Sequence, residues 1–196
     1  MSKRTLAVLL GLLCCVAGLL LARPAEAQRG GRQTITGTVV SIGGRAVSRS
    51  RPFRLIINDY TSPSDVESLN EALRRGEDAL LDRLEDLNAG RIAIGNNVGV
   101  TANAIIRTPQ AEGGTKITVI YERVLNLFEL RYGTRSQDYR FGYAEIFLDE
   151  PGRGEGTFIP AARIRLRDGN TWEVEDFGVY PARLIGLRAS GNRGVR

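Results

Sequence analysis

The chain has no histidine in its 196 residues, one methionine, one tryptophan and two cysteines. Both cysteines, Cys14 and Cys15, lie in an opening segment built like an export signal. Lys3 and Arg4 precede an apolar run from Leu6 to Leu21, and Ala25-Glu26-Ala27 forms a small-x-small cleavage site before Gln28. Cleavage there leaves a chain with neither thiol nor imidazole. Cysteine nucleophiles, histidine-based triads, Cys/His zinc sites and histidine-ligated haem are then excluded whatever the fold. Lysine is scarce as well, Lys116 being the only one after the leader. Carboxylate, hydroxyl and arginine chemistry remain. The apolar run is shorter than the ~20 residues that cross a bilayer and contains Gly11 and Gly18, so it reads as a cleaved signal rather than an anchor. Leu13 ahead of Cys14 does not suit a lipoprotein signal.

Residues 28–196 are of a size for one domain, and a chain of that length buries roughly two thirds of the surface that its unfolded form exposes. Losing Lys3, Arg4, Arg23 and Glu26 with the leader leaves 24 basic and 21 acidic residues. The excess of +3 is a weak argument for nucleic acid. The distribution is more informative: Arg29, Arg32, Arg45, Arg49, Arg51 and Arg54 make the N-terminal portion basic, whereas Asp59 to Asp86 holds nine acids against three arginines. Such segregation marks either a polyanion-binding face or, more commonly, a solvated surface.

The periodicity predicts strands at 34–42 and 53–59, where β-branched residues alternate. It then changes. Ser64 stands three residues before Glu67 as a capping box, and Val66, Leu69 and Leu73 follow at helical spacing. After Gly76 a leucine stripe, Leu80, Leu81, Leu84 and Leu87, resumes until Asn88 and Gly90 close it. This predicts a pair of short amphipathic helices, about 64–88, whose stripe packs on the sheet. Strand-like runs return at 91–96, 100–108, 115–123, 141–150, 157–167, 171–177 and 183–188; residues 124–130 are ambiguous. The expectation is a mainly β domain over 28–196, an antiparallel sandwich or barrel of about 8–9 strands with an inserted helical hairpin.

Register sharpens two hairpins. With a three-residue loop at Asp168-Gly169-Asn170, Leu166 faces Trp172 and Ile164 faces Val174, while Arg165 meets Glu173 and Arg163 meets Glu175. A two-residue turn would mix the faces. The RIRLR arginines therefore read as a cross-strand ladder first and a polyanion site second, and Trp172 as core. The stretch LDEPGRGEGTF (148–158) raises the question of a phosphate or metal loop. A phosphate loop leads from strand to helix, but here a strand follows. Asp149, Glu150 and Glu155 lack the alternating spacing of a calcium loop. A hairpin turn about 150–154, setting Ile146 opposite Phe158 and Ala144 opposite Pro160, is the expectation, and no metal or cofactor is assigned.

The most suggestive loop is TRSQDYRFGY (134–143). Arg135, Asp138, Tyr139, Arg140 and Tyr143 are its candidate ligand-binding residues, since arginine and aromatic side chains on loops are common in recognition surfaces. The bland alternative is that Tyr139 and Phe141 tuck under the sheet. Glu129, Asp138 and Glu145 are nominees for a carboxylate pair, which requires a separation of roughly 5–10 Å in a cleft. Lys116 as the activator of a serine competes with a solvated strand residue.

The runs YERVLNLFE (121–129) and TRSQDYRFGYAEIFLDEPGRGEGTFIPAARI (134–164), preceded by a leucine-rich helical segment, resemble a family of uncharacterised secreted bacterial proteins. Its pattern is DRPxxFxE followed by SxDYPFxxIELxLDxxGxGxG and an alanine-containing strand. Val124 and Arg140 stand where that pattern has proline. The resemblance implies export from a bacterial cell and carries over no catalytic or binding residue.

Together these readings give an exported protein of the periplasm or cell exterior without catalytic residues, a binding or structural module. The expected partner is a cell-envelope component or small ligand rather than a specific nucleic acid, and no membrane span remains after cleavage. Two other classes stay open: a carboxylate-based hydrolase of a cell-wall or carbohydrate substrate, and a carrier holding an apolar ligand in a barrel.

Overall fold

The computed structural model describes residues 32–40, 50–111, 113–124, 138–167, 171–176 and 181–191. In chain order these form β1 (Gln33–Val40), β2 (Ser50–Ile57), α1 (Pro63–Arg75), α2 (Glu77–Glu85), β3 (Gly90–Ile94), β4 (Val100–Ala102) and β5 (Ala104–Pro109). Then follow β6 (Thr115–Glu122), β7 (Phe141–Leu148), β8 (Arg153–Arg167), β9 (Thr171–Asp176) and β10 (Ala182–Gly191).

The fold is mainly β: one antiparallel ten-stranded sheet that wraps into a nearly closed barrel, with the helical hairpin inserted between β2 and β3. Neighbours run β4-β3-β2-β1-β10-β8-β7-β6-β5, and β9 extends the C-terminal half of β8. The two ends of that order, β4 and β5, are consecutive in the chain with only Asn103 between them. The single run expected at 100–108 is therefore two strands meeting at a corner. Ala102 belongs to the barrel interior and Ala104 to the outer layer, so the alternation changes phase at Asn103.

Two apolar layers hold this arrangement. Inside the barrel, Ile35, Phe53, Leu55, Ile105, Ile117 and Ile146 are almost fully buried and pack with Val119, Leu184 and Leu187. Outside it, the leucine stripe of the helices (Leu69, Leu73, Leu80, Leu81, Leu84) covers Ile120, Phe141, Ile159, Ala162 and Ile164 on β6, β7 and β8. At ~25 cal/mol per Å² of apolar area, these buried branched side chains are the principal stabilising term.

The helical hairpin forms as its period predicts, with one correction. The N-cap is Ser62, not Ser64: Ser62 Oγ accepts from Asp65 N–H at 3.1 Å and donates to Asp65 Oδ2 at 2.6 Å. Pro63 explains the shift, because its fixed φ and missing N–H suit the first helical position. Gly76, at φ 127°, ends α1 and begins α2.

The β8–β9 register is the one that matching faces require: Ile164↔Val174, Leu166↔Trp172, Arg165↔Glu173 and Arg163↔Glu175. The β7–β8 hairpin is tighter than expected. Ile146 lies opposite Gly156 and Ala144 opposite Phe158, two residues away from the expected partners. Asp149 N–H donates to Arg153 O at 2.8 Å and Gly152 N–H to Asp149 O at 2.9 Å, so the reversal occupies 149–152. Gly154 and Gly156 are consequently strand residues. A Cβ on either would collide with the carbonyl of Phe147 or Glu145 across the ladder, which explains the alternating glycines without a ligand. Further along, a bulge opposite Gly142 reverses the alternation of β8, so that Ala162 and Ile164 join Ile159 on the outer face although Phe158, at the same parity as they are, points inward.

Candidate functional site

An open cleft of about 720 Å³ separates the α1–α2 junction from the segment 138–140 and the distal half of β8. Its lining follows from local structure. Gly76 sets Glu77 and Asp78 in the first turn of α2, where acidic side chains suit the helix dipole. β8 outruns the barrel beyond its bulge and carries Arg163 and Arg165 along the opposite wall. Residues 138–140 are held against the end of β6 by Arg123, whose backbone N–H donates to Arg140 O at 2.8 Å and whose Nε donates to Tyr139 O at 2.9 Å.

The electrostatics are those of interlocked pairs. Arg163 Nε donates to Glu77 Oε1 at 2.7 Å, and Arg165 Nε lies 3.8 Å from the same oxygen. Arg140 Nη1 donates to Asp78 Oδ1 at 2.6 Å. The hydrogen bond to Glu77 raises the pKa of Arg163 above the ordinary arginine value, opposed by desolvation and reinforced by the charges of Glu77, Asp138 and Glu175. With Arg74 on the rim, four guanidinium groups face three carboxylates, those of Glu77, Asp78 and Asp138. The cleft can exchange internal ion pairs for those of an incoming anion, and arginine recognises carboxylate or phosphate in a planar, two-pronged geometry.

Asp138 and Arg140 line this cleft as members of the suggestive loop. Tyr139 does not. It is buried, and its hydroxyl donates to Glu175 Oε1 at 2.8 Å, which together with buried Phe141 is the tucked arrangement. Tyr143 stands on β7 outside the cleft lining; Arg135 and Glu129 lie outside the described residues.

Tyr143 belongs to a separate cluster. Glu145 Oε1 accepts from Lys116 Nζ at 2.9 Å and from Tyr143 OH at 3.2 Å. Burial pushes the Tyr143 phenol well above the usual tyrosine range. The adjacent Glu145 charge and hydrogen bond add to the rise, and a hydrogen bond with Thr118 opposes it. Lys116 is thus the counter-ion of Glu145, and Tyr143 holds its proton.

Glu77 has no place among the residues that the sequence singles out, and Arg163 and Arg165 appear there only in the second reading of RIRLR, as a polyanion site. The expected backbone register is present, but the ion pairs run diagonally across it: Arg167 Nη2 reaches Glu173 at 2.7 Å and Arg165 Nη1 reaches Glu175 at 4.0 Å. The diversion of Arg163 to a helix 86 residues away leaves no local signal. Trp172 is half-buried and packs against the outer apolar layer rather than within it, with Nε1 donating to Asn70 Oδ1 at 2.5 Å.

Comparison with protein-family models, curated proteins and solved structures finds no match for this chain.

Proposed function

We propose that this chain is an exported, non-enzymatic binding module of the periplasm or cell exterior, and that the cleft between the helical hairpin and β8 takes an anionic ligand bearing carboxylate or phosphate. The supporting observation is the set of guanidinium groups on its walls, Arg140, Arg163 and Arg165, paired with carboxylates that an anion can displace. The same pairing weighs against hydrolase chemistry, because a general acid needs a carboxyl held neutral rather than one clamped by arginine. The barrel interior is occupied by side chains from nearly every strand, which weighs against an apolar-ligand carrier. The leader at 1–27 is what supports export.

Trp172 lies opposite Leu166, a cleft-lining residue, and is the chain's single tryptophan, so its fluorescence reports on the site. Titration with inorganic phosphate, citrate and oligogalacturonate is expected to move that fluorescence in a saturable way. Arg163→Ala is expected to weaken binding by about 10- to 100-fold, the worth of a charge-assisted hydrogen bond. Release of sugar or peptide fragments from cell-wall glycan by the folded protein would overturn the non-enzymatic reading. An affinity unchanged by Arg163→Ala and Arg140→Ala would remove the cleft from it.

A further inference from the structure

The strands β4, β3, β2, β1 and β10 are consecutive around the barrel, and the described residues of these five strands include no aspartate or glutamate. They do include Arg51, Arg54, Arg91, Arg183 and Arg188. Register shows which of these share a face. Arg54 pairs with Thr36, Thr36 with Arg188, and Arg188 with Arg153 on β8, which makes one row across four strands. Arg91 pairs with Ile56 and Ile56 with Thr34 in the adjacent row, and Arg183 pairs with Val40. Ile35 and Val39 point into the barrel, so the residues of these rows point out, whereas Arg51, opposite Val39 and in phase with Phe53 and Leu55, falls on the inward row. Arg188 and Arg153 are directly opposed like charges, an arrangement that costs stability in the free protein. Of the outward arginines, Arg183 has a carboxylate partner, Glu155 at 3.1 Å, and Arg91 bonds only the Gly99 carbonyl.

A cluster of acids lies on the other side. The helices α1 and α2 cover β6, β7 and β8, across the barrel from β1 and β2, and carry Asp65, Glu67, Glu71, Glu77, Asp78, Asp82 and Glu85 against three arginines. The molecule is therefore polarised across its width, and a negative surface attracts one side and repels the other.

We infer that the β3-β2-β1-β10 face is a docking surface for an anionic phospholipid bilayer, with the arginines set among the phosphates of the headgroups. Two observations favour a lipid sheet over a nucleic-acid strand. The described strands of the face present the convex outside of a barrel rather than a channel for a single polymer. It also holds an apolar projection, Ile185, 40% exposed and carried on a bulge between Arg183 and Arg188 where Gly186 adopts φ 61°. An exposed apolar side chain flanked by arginines suits the boundary between headgroup and acyl chain. The surface is distinct from the cleft, so either can fail without the other.

Co-sedimentation of the full chain with vesicles of phosphatidylglycerol and phosphatidylcholine (1:1) tests this, with pure phosphatidylcholine vesicles and a 30-base-pair DNA duplex as parallel arms. Binding to the anionic vesicles is expected, with loss at 0.5 M NaCl. At about five-fold per arginine near such a surface, Arg54→Gln/Arg188→Gln is expected to lower the partition constant by about 25-fold. Ile185→Ser is expected to lower it several-fold. Both variants alter exposed positions, and an unchanged far-UV circular dichroism spectrum confirms their fold; Arg54→Lys/Arg188→Lys is expected to restore binding. Absence of binding overturns the proposal. So does binding that is indifferent to salt and to these substitutions, the mark of a retained apolar leader, or a preference for the DNA duplex.

Discussion

Asn103 offers the sharpest test of how the barrel and the helical layer are joined. Its side chain is 9% exposed and satisfies three backbone groups from two different layers. Nδ2 donates to Leu84 O at 2.9 Å and to Leu87 O at 3.3 Å, closing the C-terminal end of α2. Oδ1 accepts from Glu122 N–H at 3.0 Å, at the end of β6. Replacing Asn103 with alanine removes these bonds and leaves the Glu122 donor stranded beneath the helix. At about 1 kcal/mol for each bond, with a further penalty for the stranded group, the loss comes to about 3 kcal/mol. For a domain of this size that corresponds to a fall in Tm of roughly 6–12 °C. Urea denaturation of the two proteins, with hydrogen exchange followed at the Glu122 amide, measures both parts. Asn103→Asp retains the acceptor but turns a carboxylate oxygen toward two carbonyls, so it is expected to be at least as damaging at pH 7. A loss below about 1 kcal/mol with unchanged protection at Glu122 would refute the reasoning.

Ser62→Ala is expected to destabilise by about 1 kcal/mol in urea denaturation, whereas Ser64→Ala stays within about 0.5 kcal/mol, because the cap bond belongs to Ser62. Gly142→Ala is expected to destabilise by about 1–3 kcal/mol, since a Cβ there would overlap the Tyr121 ring stacked on it; in Tyr121→Ala the same change is expected to be nearly neutral, a coupling that a double-mutant cycle measures. Burial pushes the Tyr121 phenol up to about 12, against a small opposing effect of Arg123. The folded value exceeds the unfolded one, so this contribution is complete below pH 10 and declines as pH rises toward 12. It amounts to about 1 kcal/mol between pH 9 and pH 11, and Tyr121→Phe is expected to flatten the decline.

The sequence was most legible where both partners of a contact lay within one hairpin. Period-two faces on Arg163–Arg167 and Thr171–Glu175 admit a single register, and that register is present. The leucine stripe likewise announced two helices, since their apolar spacing is set by the helix itself. The β7–β8 turn was misjudged by two residues because both registers keep Ala144, Ile146 and Leu148 facing inward; the choice between them rests on backbone closeness that only Gly154 and Gly156 permit. Ser64 obscured the cap because its motif is stronger in letters than Ser62-Pro63, although proline geometry decides the start. Asn103 looked like a polar residue inside a strand, and its role depends on Leu84 and Glu122, each 19 residues away. The cleft was half legible. Its loop carried Asp138 and Arg140, but its far wall is a helix start brought to β8 by the packing of the leucines.

The pairing of the first described strand with the last has its own consequence. Gln33 meets Gly191 and Val40 meets Arg183, so the hoop is drawn shut by its two extremities. Until the final segment arrives, Ile35 and Val39 have no β10 beside them, and β8 lacks its neighbour on that flank. Pairings of consecutive strands need no such wait, but joining those extremities requires ordering everything between them. A polypeptide threaded or synthesised from its front end can thus lay down its hairpins in turn, yet the hoop closes only when β10 is delivered. Shortening it before Ala182 leaves an open ribbon rather than a smaller barrel.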